Sequence, residues 1–322
     1  MTDTPQHPVQ QRAVVLPRFG GPEVLEIASR PWPQPVDDEV LVRVHAASIN
    51  PVDLKTRAGE FPMVTADMLP IVLGRDLAGT IELTGTRAHD MLSHGDKVFA
   101  HIGFERGAQA EYVVVKAVEL VAMPDGLDFV SAAAVPLAAM TAWQGLFDQG
   151  HLVAGQRVLI HGGAGGVGHL AVQLAKARGA TVLVTASAGD LDFVRDLGAD
   201  DAIDHEAQRF EDVAGQVDLV LDLVGGETQH RSVAVVKPSG ALVSTVDVSD
   251  EVTAAATARG VRLPGRWHAE PNAAQLGQIA DLIAAGKVKV TVAATFPLAE
   301  VKSAHERQAK GHVRGKIVLT VA

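Results

Sequence analysis

Three glycines, Gly163, Gly165 and Gly168, stand at the spacing G-x-G-x-x-G within His161 to Gly168, HGGAGGVG. Between a strand and the helix it feeds, that spacing serves diphosphate binding. Gly163 is expected to make the tight turn, Gly165 to let the backbone approach a pyrophosphate, and Gly168 to let helix and strand pack closely. Ala164, Gly166 and Val167 complete the loop, and the N–H groups at the helix start would face the phosphates, aided by the helix dipole. About 20 residues further on, an acidic side chain would bond an adenosine ribose and repel a 2′-phosphate. Ser187, a neutral donor, stands there instead. The expected cofactor is therefore NADPH, although no Lys or Arg adjoins Ser187 and Asp190 is close by. Ser187 could equally cap the helix that begins near Asp190.

The surrounding elements fit that reading. Val158 to Ile160 reads as an apolar strand, the residues carrying Leu170, Val172, Leu174 and Ala175 as a helix, and Thr181 to Val184 as a second strand. Strand candidates at Val217 to Leu221 and Ala241 to Ser244, with a helix over Ala273 to Ala285, extend the alternation into a doubly wound parallel sheet. Upstream, short strands recur at Ala13 to Leu16, Val24 to Ile27, Val40 to Val44, Thr80 to Leu83, Lys97 to Ala100 and Glu111 to Val115, which suggests a barrel-like or sandwich unit. From Asp128 one or two helices lead into the nucleotide unit, and Lys287 to Val292 and Lys316 to Val321 return to β character.

Composition narrows the function. The 322 residues are 47% hydrophobic and only 4% aromatic, so the core is expected to be built from Val, Ala and Leu. A formal charge of -10 argues against a nucleic-acid or anionic-membrane surface. Cysteine is absent, which removes disulfides, thiolate zinc sites and cysteine nucleophiles together. With no apolar leader after Met1 and no apolar run long enough to span a bilayer, a cytoplasmic protein is expected.

Two competing patterns fail. Tyr112 and Lys116 have the Y-x-x-x-K spacing of short-chain dehydrogenases, but they precede the glycines and lie in a strand, which holds them about 13 Å apart. His89, Asp90, His94, Asp96 and His101 cluster in a polar loop without helical pairing of histidines, so a solvated loop is the better reading than a metal site.

Several ordered stretches resemble the medium-chain dehydrogenase/reductase superfamily, and within it the zinc-independent, zeta-crystallin-like quinone oxidoreductases. They are SINPVDLKTRAG (Ser48 to Gly59), LGRDLAGTIE (Leu73 to Glu82), GAQAEYVVV (Gly107 to Val115), AAAVPLAAMTAWQGLF (Ala132 to Phe147), the glycine loop, LGAD (Leu197 to Asp200), LVLDLVGGE (Leu219 to Glu227) and RGKIVLTV (Arg314 to Val321). The resemblance implies an α/β protein with a GroES-like β-rich catalytic domain over 12–127, a Rossmann domain over 128–286 and a C-terminal segment, 287–322, that returns to the catalytic domain. It also implies a cleft between the domains and a homodimer.

Zinc-dependent relatives carry Cys and His where this chain has Asn50 and Arg75, so no catalytic zinc site is expected. Hydride transfer to an electron-poor acceptor remains, because a quinone or conjugated enone spreads the charge that hydride addition creates. By resemblance, Asn50 and Lys55 are the candidate donors to the acceptor oxygen; their alternatives are a turn residue before Pro51 and a solvated helix lysine. Thr141 resembles the residue beside the nicotinamide, or it bonds back within its helix. His205 stands where relatives carry a tyrosine near the 2′-phosphate, or it is a surface histidine. Val224 and Thr245 would line the cofactor cleft, or merely pack. An NADPH-dependent quinone or enone reductase is expected, against a pathway-specific alkenal reductase or a non-catalytic NADPH sensor.

Overall fold

Strand β3 is the spine of the N-terminal half, because eight of its 11 residues are buried and three other strands use its two edges. The computed structural model describes residues 9–321. The opening stretch Met1–Pro8, on which the expected absence of a leader partly rests, lies outside the described residues.

The chain begins with β1 (Gln10–Leu16), β2 (Glu26–Pro31) and β3 (Glu39–Ile49), then helix α1 (Pro51–Ala58). Strands β4 (Ile71–Val72), β5 (Asp76–Thr84), β6 (Lys97–His101), β7 (Tyr112–Lys116) and β8 (Val121–Ala122) follow. β5 pairs along one edge of β3, while β7 pairs with Glu39–Arg43 on the other. The alternating apolar residues of these strands meet in one core containing Val42, Val44, Leu77, Ile81 and Val98.

Helices α2 (Phe129–Ala133) and α3 (Pro136–Trp143) then lead into β9 (Arg157–His161), α4 (Gly168–Ala177), β10 (Thr181–Ala186) and α5 (Leu191–Asp196). The unit continues with β11 (Asp201–Asp204), α6 (Phe210–Val213), β12 (Val217–Asp222), α7 (Gly226–Ser232), β13 (Val236–Ser244), α8 (Asp250–Arg259) and α9 (Ala273–Ala284). Its strands form one parallel sheet in the order β11-β10-β9-β12-β13. Both faces are covered: Val158 and Ile160 of β9 point into a core shared with α3, α4 and α9, whereas Leu159 joins a core with Phe210, Val252 and Ala256. That is the doubly wound arrangement the apolar strands require.

The chain closes with β14 (Val292–Pro297), α10 (Val301–Ala309) and β15 (Lys316–Thr320). β15 fills the remaining half of the β3 edge, pairing Ile317 to Thr320 antiparallel with Ile49 to Ala46, and β14 adds in parallel outside it. β3 and the last strand thus share a sheet, with the parallel unit between them in sequence. One expected strand is displaced: Lys287 to Val292 is irregular up to its last residue, where β14 begins. The side-chain amide of Gln173 bonds both Lys289 N (2.7 Å) and Lys289 O (2.9 Å), which removes the backbone groups a ladder would use.

Candidate active site

β9 delivers the glycine loop to a cavity of about 460 Å³. The turn itself falls on Gly162, whose φ of 75° suits glycine, and not on Gly163 as the spacing suggested. Gly163 is needed for packing, since a Cβ there would collide with the side chain of Val184 on β10. At Gly168 a Cβ would lie 2.7 and 2.8 Å from the Gly163 backbone, so α4 reaches the turn only without a side chain. At Gly165 the space is open, the nearest atom being Gly162 O at 3.4 Å, and the backbone there faces the cavity.

Two buried histidines brace this loop. His169 Nδ1 bonds Gly165 O at 3.0 Å, and its Nε2 accepts from Thr291 N at 3.3 Å. His161 bridges Thr185 Oγ1 and Ser232 Oγ, each at 2.9 Å. Burial pushes both imidazoles below the usual range, His169 to about 4. Both are therefore neutral at pH 7 and hold the loop by hydrogen bonds alone.

Where β3, β5, α3 and β15 begin or end, their polar side chains converge. Asp76, fully buried, accepts from Ser48 Oγ (2.5 Å) and Asn50 Nδ2 (2.8 Å) through one oxygen and from Leu137 N (2.7 Å) through the other. Asn50 also caps α1, with Asp53 returning a bond to its N–H at 2.8 Å. Burial pushes the Asp53 carboxyl up to about 6 against the pull of Arg75. Lys316, 4% exposed, places its ammonium against Asn50 Oδ1 and Ile49 O. Desolvation lowers its affinity for the proton, and Asp76 and Asp53 oppose that. Lys316 also adjoins the glycine loop, its Cδ lying 3.0 Å from where a Gly166 Cβ would stand.

Arg75, at the position where zinc-dependent relatives carry a histidine, holds a buried guanidinium over the rings of Phe61 (5.1 Å) and Phe104 (5.5 Å). Nearby, His101 ends β6 with Nδ1 unpartnered, and burial pushes it down to about 4. Among the described residues no group of three or more His, Asp or Glu is arranged to hold a metal.

Of the residues anticipated for cofactor binding, Ala164, Gly165, Gly166, Val167 and Gly168 line the cavity, as do Ser187, His205, Val224 and Thr245. Gly163 supports the loop from behind. Thr141 does not line the cavity; its hydroxyl donates to Leu137 O at 2.8 Å, and Leu137 and Ala138, one turn earlier, face the space instead. Asn50 lines the cavity, but Lys55 is exposed on α1 and does not. The lysine that reaches Asn50 is Lys316. Asp222, fully buried, holds the Val224 loop through bonds to Val224 N (3.0 Å) and Gly225 N (2.9 Å). Asp76, Asp222 and Lys316 were missed as site residues, although each stands in one of the quoted motifs, LGRDLAG, LVLDLVGGE and RGKIVLTV.

Comparison with known proteins agrees with this geometry. Residues 36–125 match the family described as Alcohol dehydrogenase GroES-like domain, and residues 197–319 the family described as Zinc-binding dehydrogenase. An NADPH-dependent alkenal/one oxidoreductase, chloroplastic, of Arabidopsis thaliana is 36% identical over 97% of this chain and 80% of its own length. The quinone oxidoreductase structure from Coxiella burnetii superposes with a TM-score of 0.89 at 36% identity, covering 97% of this chain and 100% of that one. A mycobacterial protein solved in complex with NADPH gives a TM-score of 0.85 at 29% identity over 97% of this chain and 100% of its own.

Proposed function

The chain belongs to the zinc-independent quinone oxidoreductase group of the medium-chain dehydrogenase/reductase superfamily, and on that premise we propose how its residues serve an NADPH-dependent reduction of quinones or conjugated enones. The observation that carries the reading is the open face of Gly165 in one cavity with Asn50 and Lys316, which Asp76 backs from within. NADPH, when bound, supplies the hydride.

The residues present fit that cofactor. The open backbone at Gly165 and the first turn of α4 offer N–H groups to a diphosphate, with the buried charge of Lys316 next to Gly166. Neutral His161 and His169 hold the loop without adding a titrating charge. Asn50 is the candidate donor to the acceptor's oxygen. Its Nδ2 gives one bond to Asp76 and a longer one, 3.2 Å, to Ser48, and the longer is the one it can exchange for substrate. Asp76 fixes the amide's direction, and Lys316 fixes its carbonyl end. Lys316 takes the place proposed for Lys55 as the second candidate. Arg75 between its two rings leaves no histidine at the metal-ligand position, so polarising the acceptor falls to side-chain donors.

The domain limits 12–127, 128–286 and 287–322 are part of this proposal, supported by β15 pairing with β3. A homodimer is proposed through the edge of the parallel sheet beyond β13, where the Arg262 backbone bridges Ala241. Sedimentation analysis tests it. The cytoplasm is proposed from the cysteine-free composition, and fractionation tests it, since the Arabidopsis relative is chloroplastic.

Product analysis tests the reaction: purified protein with NADPH and either a p-benzoquinone or an α,β-unsaturated ketone should consume cofactor and acceptor together. Tight NADPH binding without turnover of either acceptor would instead favour a sensor.

A further inference from the structure

Asp190 lines the cavity three residues after Ser187, where a bare carboxylate would repel the phosphate that distinguishes NADPH from NADH. It is not bare. Ser187 Oγ donates to its Oδ2 at 2.8 Å, and Arg314 Nε donates to its Oδ1 at 2.6 Å. Arg314 Nη2 lies 2.6 Å from the same Oδ1 and bonds Gly189 O at 2.8 Å, and the guanidinium rests over Phe193 at 5.1 Å. Nη1 takes part in none of these bonds. The pair is about one-quarter exposed on the acid and one-half on the base, so it sits at the rim and not in the core.

Arg314 arrives from 124 residues away in sequence. It lies in the segment between α10 and β15 that crosses the nucleotide cavity, with Val313 and Gly315 among its lining residues and Gly315 N bonded to Ala164 O at 3.0 Å. The segment is thus anchored to the glycine loop by backbone and to the β10 end by an ion pair.

We propose that Arg314 is the specificity-determining residue for the 2′-phosphate: it cancels the charge of Asp190 and keeps Nη1 of its guanidinium outside these bonds, near Ser187. This rests on the NADPH reading above. The Ser187 hydroxyl and the arginine share one carboxylate, so an incoming phosphate dianion meets a donor and a cation where the sequence alone shows a donor and an acid. With Nε and Nη2 held by Asp190 and Gly189, the guanidinium is fixed in place and keeps its charge, and Nη1 is the group left to meet a phosphate oxygen. Because the cation comes from the catalytic-side segment, phosphate recognition also ties that segment to the nucleotide unit.

The test uses two probes without a nicotinamide, 2′,5′-ADP and 5′-AMP, titrated calorimetrically into the full chain, Arg314→Ala, Asp190→Asn and the double variant. Circular dichroism melts check that each is folded. Arg314→Ala is expected to weaken 2′,5′-ADP by about tenfold or more while leaving 5′-AMP within about twofold, and the NADPH to NADH ratio of kcat/KM should fall in parallel. Adding Asp190→Asn should recover part of the loss, because the uncovered carboxylate is removed. Equal weakening of both probes would make Arg314 a merely structural tie and overturn the inference, as would unchanged 2′,5′-ADP binding. If the unmodified protein itself prefers 5′-AMP, the NADPH reading fails and this inference with it.

Discussion

Gly165 and Gly168 are three residues apart in one loop, yet alanine at each should do opposite things. At Gly168 a methyl would press on Gly162 O and on two backbone atoms of Gly163 at 2.7 and 2.8 Å, inside the 3.4–4 Å of ordinary contact. Backbone cannot rotate away, so overpacking should cost about 1–3 kcal/mol, offset by at most about 1 kcal/mol of helix propensity. For a chain of this size a net loss of about 2 kcal/mol lowers the melting temperature by roughly 2–4 °C. At Gly165 the methyl meets only Gly162 O at 3.4 Å and points into the cavity, so the free protein should melt within about 0.5 kcal/mol of the parent. Its cost appears with the cofactor. NADPH at about 100 times the parent's Kd stabilises the folded state by about 2.7 kcal/mol; if the methyl weakens binding about a hundredfold, the same concentration supplies only about 0.4 kcal/mol. Thermal melts with and without NADPH read both effects. A Gly165→Ala protein that keeps the full NADPH-induced shift would refute the assignment of that open backbone to the diphosphate.

Three further outcomes follow from the site. Asp76→Ala removes the acceptor for Ser48, Asn50 and the Leu137 N–H in a buried corner, and is expected to cost about 3–5 kcal/mol in urea unfolding; a loss under about 1 kcal/mol would mean the corner relaxes freely. Lys55→Ala should leave kcat/KM within about twofold because that side chain is exposed, whereas Lys316→Met should lower it by about tenfold or more; the reverse order would restore Lys55 to the site. Burial holds His101 and His169 near 4, His305 near 3 and His161 below its usual 6.5. The unfolded chain binds up to four more protons there, so stability is complete above pH 6.5 and falls on acidification toward 4. Asp53, pushed up to about 6, works the other way with one proton between 3.8 and 6. Net loss should reach about 4 kcal/mol per pH unit in mid-window, seen in urea melts at pH 7, 6 and 5, and equal midpoints at pH 7 and 5 would contradict the burial of these imidazoles.

The nucleotide unit was legible because its signals are local: glycine spacing, apolar strands and a helix follow one another within 50 residues, and β9, α4 and β10 lie where those signals put them. The catalytic corner was not, because it is assembled from distant parts. Asn50 meets Asp76 across 26 positions and Lys316 across 266, and the pairing of β5 and of β15 with β3 makes them neighbours. The partner of Asp190 was out of sight for the same reason, since Arg314 lies 124 positions away in sequence. Lys55 and Lys316 look alike in a sequence; burial separates them. Lys287 to Val292 shows the converse, a proper strand alternation whose backbone bonds are captured by Gln173 of α4.

The most direct measurement follows nicotinamide absorbance with NADPH and NADH in parallel, in EDTA, against quinones, conjugated enones and simple ketones. Turnover with NADPH on quinones or enones, undiminished by EDTA and absent on ketones, is the predicted result. Preference for NADH, or ketone reduction abolished by EDTA, would contradict it.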